Sequence, residues 1–149
     1  MPSFVKGGGN TAPFGPREYL RSTREFLTNS ATFAASTFPE VTIDGEKEKI
    51  LQPGMALAKI TSGADEGKVG VFQDGATDGR ADVANIVGLN DTFLPYQLKD
   101  GDHEVAVVYG CVAVKDWCTQ LDSSGAVVKI TEAVADGLRG GQSLEVKFN

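Results

Sequence analysis

Short apolar runs separated by glycine and aspartate recur through the middle of the chain, which is typical of a mainly β fold. The runs that predict strands before residue 100 are residues 41–44, 49–51, 56–61, 68–73 and 83–89. Their lengths lie within the usual range for strands, about 3–10 residues, and turn-forming residues follow each of them. We therefore expect a body made mostly of β-strands.

The longest apolar run, residues 104–115, has apolar side chains at both odd and even positions. Successive side chains of a strand point to opposite faces. The residues expected on one face are Val105, Val107, Tyr109, Cys111 and Ala113, and those on the other are Ala106, Val108, Val112 and Val114. A strand that is apolar on both faces is predicted to be central and buried on both sides.

The last third of the chain predicts one clear helix and a returning strand. Residues 130–138 have a helical pattern, with Thr131 as N-cap and Gly140 just past the end. A further turn of helix is expected at residues 116–120. Apolar residues alternate through residues 143–148 and predict an edge strand.

The N-terminal third has a different pattern, and we interpret residues 1–45 as an extended arm on a body of residues 46–149. Residues 1–16 are rich in glycine and proline and should be extended. Residues 17–27 predict a short amphipathic helix that needs a surface to lie on. Its apolar residues lie at positions i, i+1, i+7 and i+8, namely Tyr19, Leu20, Phe26 and Leu27.

Aromatic residues are concentrated in this arm, where Tyr19, Phe26, Phe33 and Phe38 precede the body. Disordered segments are usually poor in aromatics, so these side chains are expected to be buried against something. Two hypotheses remain open: they dock on another chain, which we favour, or they fold back on their own body. Docking by strand addition would supply backbone hydrogen bonds as well as apolar contact.

Composition excludes some classes of partner. The chain has 149 residues and a net charge of −6, and an acidic protein is poorly suited to binding nucleic acid. No apolar segment approaches the roughly 20 residues that cross a bilayer, and the N-terminus lacks a secretory signal pattern. We expect a protein made in a cytoplasm, with neither nucleic acid nor membrane as partner. Residues 1–30 carry a small basic excess, which either reflects different surroundings or is the ordinary variation of a short segment.

Candidate chemistry is sparse. Cys111 and Cys118 are best interpreted as buried reduced thiols, because two cysteines and one histidine make neither a disulfide framework nor a usual zinc site. The acidic turn at residues 73–79 lacks the closing acid of a calcium loop, and its Asp-Gly pairs indicate tight turns. We expect no metal and no cofactor.

Several motifs of the body follow one another in a recognisable order. They are the Pro53-Gly54 pair before residues 55–63, the two pairs Asp74-Gly75 and Asp78-Gly79, Ile86-Val87-Gly88, residues 105–111, and Asp116-Trp117. This order resembles the head decoration (cement) proteins of tailed phages, the lambda D-like family. In the arm, Glu25-Phe26-Leu27, Phe33 and Val41-Thr42-Ile43 resemble the N-terminal arm of many such proteins, so the resemblance covers roughly residues 25–138.

The resemblance implies a β-clip-like body, mainly β with one or two short helices, and a structural rather than enzymatic function. Such a protein sits as a homotrimer on the outside of the expanded phage head and stabilises it against DNA pressure, with its arm docked on the major capsid protein. The arm residues implied to contact capsid are Tyr19, Leu20, Phe26, Leu27, Phe33, Phe38, Val41 and Ile43. The turn residues Asp74, Gly75, Asp78 and Gly79 are implied to be structural.

Two further hypotheses concern the loops of the body. Phe93, Leu94 and Tyr96 look like exposed apolar residues in a loop, and we take them as a candidate trimer interface. The alternative function is a small β binding module for a host-surface or carbohydrate ligand, with an aromatic cluster of Phe93, Tyr96 and Trp117. A hydrolase using Cys111 and His103 is a third hypothesis, which requires the two residues to be adjacent and accessible.

Overall fold

The computed structural model describes residues 18–140 and 144–148, and within them the protein is mainly β, with one α-helix and short 3-10 turns. The strands are β1 Leu20–Phe33, β2 Val41–Ile43, β3 Glu46–Glu48, β4 Ala56–Lys59, β5 Val69–Val71, β6 Ile86–Asn90, β7 His103–Ala113, β8 Thr119–Leu121, β9 Val127–Lys129 and β10 Glu145–Phe148. The helix, α1, is Glu132–Gly140. The predicted fold class, mainly β with a short helix, is confirmed.

The main sheet closes on itself. Among the described strands its order is β1-β5-β4-β6-β7-β10, and β7 also pairs with β1. The β1–β7 pairing is antiparallel and runs from Phe33 opposite His103 to Leu20 opposite Ala113. Because β1 meets β5 at Phe33 and Val69, the strands β1, β5, β4, β6 and β7 form a ring. The pairs β2–β3 and β8–β9 are separate hairpins.

Strand β7 is central, as its two apolar faces predict. It has β1 along one edge, while β6 pairs with residues 107–108 and the parallel strand β10 pairs with residues 110–113. Its side chains enter two core clusters: Val105 and Val107 lie in one, and Val108 and Cys111 lie in the other. The prediction of a strand covered on both faces is confirmed, but the predicted division of its side chains is wrong beyond Val107. Cys111 and Ala113 share a cluster with Val108 and not with Val105.

The predicted helix at residues 17–27 is wrong over the part that the structure describes, since Leu20 to Leu27 belong to β1. The register between β1 and β7 shifts between Leu20 and Ser22, between Ser22 and Leu27, and between Leu27 and Thr28. Bulges of this kind interrupt the two-residue alternation of a strand, so the apolar residues of β1 fall at a helix-like spacing. The predicted extended segment at residues 1–16 lies outside the described residues.

Of the other strand predictions, the one at residues 49–51 is wrong and the rest agree with the structure except at their boundaries. Residues 49–51 do not form a strand, because only Leu51 makes an isolated bridge, to Leu94. The neighbouring strand is β3, which pairs with β2 across a turn where Asp44 and Gly45 have positive φ values of 52° and 82°, as a type I′ hairpin turn requires. Residues 83–85 form a 3-10 turn before β6, capped by the Asp82 carboxylate, which accepts a hydrogen bond from the backbone N–H of Ala84.

The core consists of two clusters on opposite faces of the sheet. Along β4, Ala56 and Ala58 lie in one cluster, while Leu57, between them, lies in the other. This is the alternation of a strand whose two faces are both covered. The first cluster is closed by α1, which buries Val134, Ala135 and Leu138, and the second is filled by larger residues such as Phe33, Leu51 and Leu121.

Helix α1 confirms the predicted C-terminal helix, displaced by two residues at each end. Thr131 caps it as predicted: its hydroxyl accepts a hydrogen bond from the backbone N–H of Val134 at 3.3 Å, which satisfies one of the free N–H groups of the first turn. Gly140, predicted to lie past the end of the helix, is its last residue. The predicted turn of helix at residues 116–120 is a 3-10 turn, Lys115–Trp117, followed by β8.

One glycine allows β6 to approach β7 closely. Gly88 has a φ of 147°, and a Cβ at this position would lie 2.3 Å from the carbonyl oxygen of Val108. Both the conformation and the space therefore require glycine. The ring depends on this contact, because β6 joins β4 to β7.

Candidate functional site

Three aromatic residues of the predicted arm lie inside the body. Tyr19, Phe33 and Phe38 are all buried, and the rings of Phe33 and Phe38 meet edge to face with centroids 5.9 Å apart. The hydroxyl of Tyr19 donates a hydrogen bond of 2.5 Å to the Asp91 carboxylate. The hypothesis that these three aromatics dock on another chain is therefore replaced by its alternative, in which they pack on their own body.

The other residues of the predicted capsid-binding set divide into two groups. Leu20 and Phe26 are partly buried against the first core cluster, and Leu27 covers Gly110, where a Cβ would lie 2.9 Å from the Leu27 Cδ1 atom. Val41 and Ile43, on the β2–β3 hairpin, are exposed. These two are the members of the set that the structure leaves on a free hairpin.

The candidate trimer loop is only partly on the surface. Leu94 is in the second core cluster and bridges to Leu51, so it is not available as an interface residue. Phe93 is half-buried, and Tyr96 is exposed. Tyr96 is thus the most exposed member of the predicted set.

The acidic turn is built as a structural loop. Gly75 and Gly79 have positive φ values, and the carboxylate of Asp78 accepts hydrogen bonds from the Nε of Arg80 at 3.0–3.1 Å. The guanidinium of Arg80 is buried and also donates to the carbonyl oxygen of Val71. Within the described residues, no group of three or more His, Cys, Asp or Glu side chains is arranged to hold a metal ion.

The two thiols are buried and free within the described chain, as predicted. Burial raises the pKa of Cys111 to about 11 and that of Cys118 to about 12, so neither is a ready nucleophile. His103 is exposed at the start of β7 and Cys111 lies eight residues further along the same strand, a separation of about 26 Å at the usual rise. The two residues therefore do not form a catalytic pair.

An apolar groove of about 700 Å³ lies beside the two hairpins. Its walls come from four separate stretches of chain: the entry to β1, the segment leading into β2, residues 50–55, and the region from the 3-10 turn after β7 to the start of β9. Its apolar lining includes Phe38, Pro39, Val41, Ile50, Pro53, Met55, Trp117 and Val127. Trp117 is 59% exposed, and Val41 and Val127 are also on the surface.

The groove has a rigid floor at its Tyr19 end. The backbone carbonyl of Tyr19 accepts a hydrogen bond from the N–H of Val114 at 2.7 Å, and a Cβ added at the positive-φ residue Gly54 would lie only 3.0 Å from the Tyr19 Cβ. Glu18, the first described residue, is itself part of the groove wall.

The β8–β9 turn is also well ordered by its hydrogen bonds. The Asp122 carboxylate accepts hydrogen bonds from the hydroxyl of Ser124 and from the N–H groups of Ser124 and Ala126. These contacts hold the pKa of Asp122 below its ordinary value. The turn presents Val127 to the groove and keeps that wall in place.

The electrostatic character of the groove is acidic. Glu18, Glu40 and Asp116 line it, and none of its lining residues within the described chain is Lys, Arg or His. A ligand or segment with apolar groups and positive charge is the chemistry that suits this combination.

Sequence reasoning missed the groove. In the sequence, Trp117 stands out as part of the Asp116-Trp117 pair and as a possible member of a cluster with Phe93 and Tyr96, neither of which lines the groove. One sequence feature could have indicated a groove: proline and large apolar residues occur in otherwise polar loops, at Pro39, Ile50 and Pro53. Which loops converge depends on pairings between distant strands, which the local pattern does not contain.

No protein-family model matches the chain, and no curated protein or solved structure matches it. Among the described residues, no helix is long and apolar enough to span a membrane.

Proposed function

We propose that this chain is a structural virion protein, a head decoration protein that binds the outside of an expanded phage head as a trimer. The motif order described above suggests this class. The observation that carries the proposal is the exposed apolar surface at one end of the body, which we call the hairpin face: Val41, Ile43, Trp117 and Val127. Exposed apolar patches of this kind commonly mark contacts with other proteins.

The hairpin face is suited to docking on a large, rigid protein surface. Val41 and Ile43 alternate with Thr42 on β2 and therefore share one side of the hairpin, and Val41 borders the same groove as Trp117 and Val127. Tyr19, Phe33 and Phe38 are buried in the body, so in this proposal the contact with the major capsid protein moves from the arm aromatics to this face.

In a trimer, a weak contact from each subunit would be enough for stable binding to the head. Three copies of the face on one particle attach at high effective concentration once the first has bound, which strengthens holding without new contacts. The exposed side chain of Tyr96 is the proposed contact between subunits. Clamping neighbouring capsomers in this way would resist the pressure of packaged DNA without any chemistry.

The experiment is co-sedimentation of the purified protein with expanded empty heads of the phage that encodes it. Ile43→Glu places a charge on the hairpin face, where Ile43 is 45% exposed, and should weaken binding at least tenfold while leaving the fold intact. Val83→Glu is the matched control, since Val83 is similarly exposed, at 38%, but lies beside α1. Saturable binding of the parent protein and of Val83→Glu is the expected result.

Two outcomes would contradict the proposal. If the parent protein does not sediment with the heads, the decoration function is wrong. If Ile43→Glu binds as well as the parent, the hairpin face is not the contact.

A second candidate function, a small-ligand binding module, is favoured by one observation. The groove volume of about 700 Å³ falls within the range of small-molecule sites, about 300–1,000 Å³, and Trp117 offers an exposed ring at its edge. In that case a soluble carbohydrate should shift the fluorescence of Trp117 and Ile43→Glu should have no effect on it.

A further inference from the structure

Strand β9, Val127–Lys129, is an edge strand whose three residues are all exposed. It pairs with β8 along one edge, with Leu121 opposite Val127 and Thr119 opposite Lys129. Within residues 18–140 and 144–148, no strand pairs with its other edge. A strand with a free edge presents backbone N–H and C=O groups to which another strand can bond.

The hydrogen bonds at the two ends of the β8–β9 hairpin show which backbone groups lie on the free edge. The N–H of Asp122 donates to the carbonyl oxygen of Ala126 at 2.9 Å, and the N–H of Ile130 donates to that of Cys118 at 3.2 Å. Bonded and non-bonded pairs alternate along an antiparallel ladder. The first and last residues of β9 therefore point their N–H and C=O groups away from β8.

These outward groups of β9 make no backbone hydrogen bond to any residue that the structure describes. The corresponding groups on the outer side of β8 are paired. The N–H of Thr119 donates to the carbonyl oxygen of Gly54 at 3.0 Å, and the N–H of Leu121 donates to that of Phe72 at 2.9 Å. One outer edge of the hairpin is thus bonded to the body, and the other is open.

The side chains of β9 give its open edge little protection. Val127 and Val128 are 52% and 36% exposed, and Lys129 is charged only at the last position. Edge strands are commonly protected by charged side chains. Strand β3 is charged at every position, and β10 carries Glu145 and Lys147. An exposed, β-branched and unpaired edge is instead suited to accepting an added strand.

The charge beside β9 favours a basic partner. Strand β9 borders the groove at Val127, and the groove is lined by Glu18, Glu40 and Asp116, with no Lys, Arg or His among its described lining residues. A second copy of the chain would bring the same acidic lining to the contact and would be repelled. A segment with Lys or Arg beside the groove would be attracted, most strongly at low salt.

We infer that β9 accepts an extended segment of a partner protein as an additional antiparallel strand. The backbone groups of Val127 and Lys129 bond the segment, and the groove carboxylates select its charge. Because successive side chains of a strand point to opposite faces, the segment has basic residues on the groove side that alternate with apolar residues, the first of them opposite Val128. A neutral residue lies opposite Lys129. This inference does not rest on head binding, since strand addition is measured on the isolated protein.

The probe is the acetylated and amidated peptide Thr-Val-Lys-Val-Lys-Val-Lys, added to the isotope-labelled full chain. We expect NMR shifts of the β9 amides that saturate below about 5 mM peptide. Amide hydrogen exchange of Val127 and Lys129 should slow roughly fivefold at saturation, because their N–H groups become bonded. Exchange of Val128, whose N–H already faces β8, should change much less.

Changes to the backbone separate strand addition from simple attraction between charges. The same peptide, methylated on the backbone nitrogens that face β9, keeps its charge but loses its donors and should not bind measurably to the parent protein. Val127→Pro removes an N–H that the β8–β9 ladder does not use, so it should leave the fold intact and weaken binding at least about tenfold. Val127→Thr is the matched control, because it keeps both the N–H and a β-branched side chain, and should bind within about twofold of the parent.

Three results would overturn the inference. Absence of saturable shifts would show that β9 does not accept a segment of this chemistry. Equal binding of the methylated and unmethylated peptides would show attraction of charge without strand addition. Slower exchange of Val127 and Lys129 as protein concentration rises without peptide, together with dimers in sedimentation velocity, would show that a second copy occupies the edge. Head binding is measured separately with Ile43→Glu and can fail while peptide binding stands.

Discussion

The β1–β7 pair and the two hairpins use apolar side chains in opposite ways. Phe33 on β1 and Val105 on β7 are buried in the second core cluster, whereas Ile43 on β2 and Val127 on β9 remain largely exposed. The ring of strands gains stability from its apolar residues, whereas β2 and β9 keep theirs available to another surface. We therefore expect substitutions in the two sets of residues to change the free energy of unfolding by different amounts.

The largest expected effect tests this difference directly. Phe33→Ala removes a fully buried phenyl side chain from the closed main sheet. It should lower the free energy of unfolding by about 3–5 kcal/mol. Ile43→Ala removes an exposed side chain from a hairpin and should change it by no more than about 0.5 kcal/mol. Urea unfolding of both variants measures the two costs, and similar losses would show that the hairpin is part of the folding core.

A smaller effect probes how the ring closes. Gly88→Ala should cost about 1–3 kcal/mol, because the added methyl group meets the Val108 carbonyl oxygen and the backbone has a positive φ. Gly140→Ala is the matched control at the end of α1, where a Cβ has no heavy atom within 4 Å, and should stay within about 0.5 kcal/mol of the parent protein. The thermal unfolding midpoints of the two variants and of the parent protein measure this difference. If Gly88→Ala unfolds like Gly140→Ala, the close approach of β6 and β7 is not required.

The smallest expected effect concerns polar contacts made by Lys68, the residue just before β5. Asp102 accepts hydrogen bonds from the Lys68 ammonium at 2.5 Å and from the N–H of Ala35 at 2.9 Å. These two contacts hold the pKa of the Asp102 carboxyl below its ordinary value of 3.8. Because the pair is partly exposed, we expect Asp102→Asn to cost at most about 1 kcal/mol at neutral pH.

The pH dependence of that cost has a definite sign. A carboxyl whose pKa is lowered by folding contributes stability above its ordinary pKa and loses it as the pH falls through the folded value. The difference between the parent protein and Asp102→Asn should therefore be constant near neutrality and shrink as the pH falls below 3.8. Asp116→Asn on the groove wall is the control. A difference that grows in acid would contradict the assignment.

The sequence predicted those elements whose pattern is local. Strand β7 is apolar at consecutive positions, and α1 has both a helical stripe and a capping threonine, so each was recognisable without knowledge of its partners. The β2–β3 turn was not predicted, because residue 44 was assigned to the strand 41–44 and the next strand was placed at 49–51, three residues after β3 begins.

The rest depended on pairings between distant segments. Strand β1 was mistaken for a helix because three register shifts hide its alternation. Tyr19 was assigned to a partner-binding arm because nothing local shows that its hydroxyl meets Asp91, 72 positions further on. The groove was missed for the same reason, since its walls meet only after the ring has closed.

The pairing of β1 with β7 also has a consequence for the order of events during synthesis. Thr32 on β1 and its partner Glu104 on β7 are 72 residues apart, which corresponds to roughly 4–14 s of translation. During that interval β1 leaves the ribosome before its antiparallel neighbour exists. Strand β1 is rich in Ser, Thr and Asn. These polar residues lower the tendency of the unpaired strand to aggregate before β7 has been synthesised.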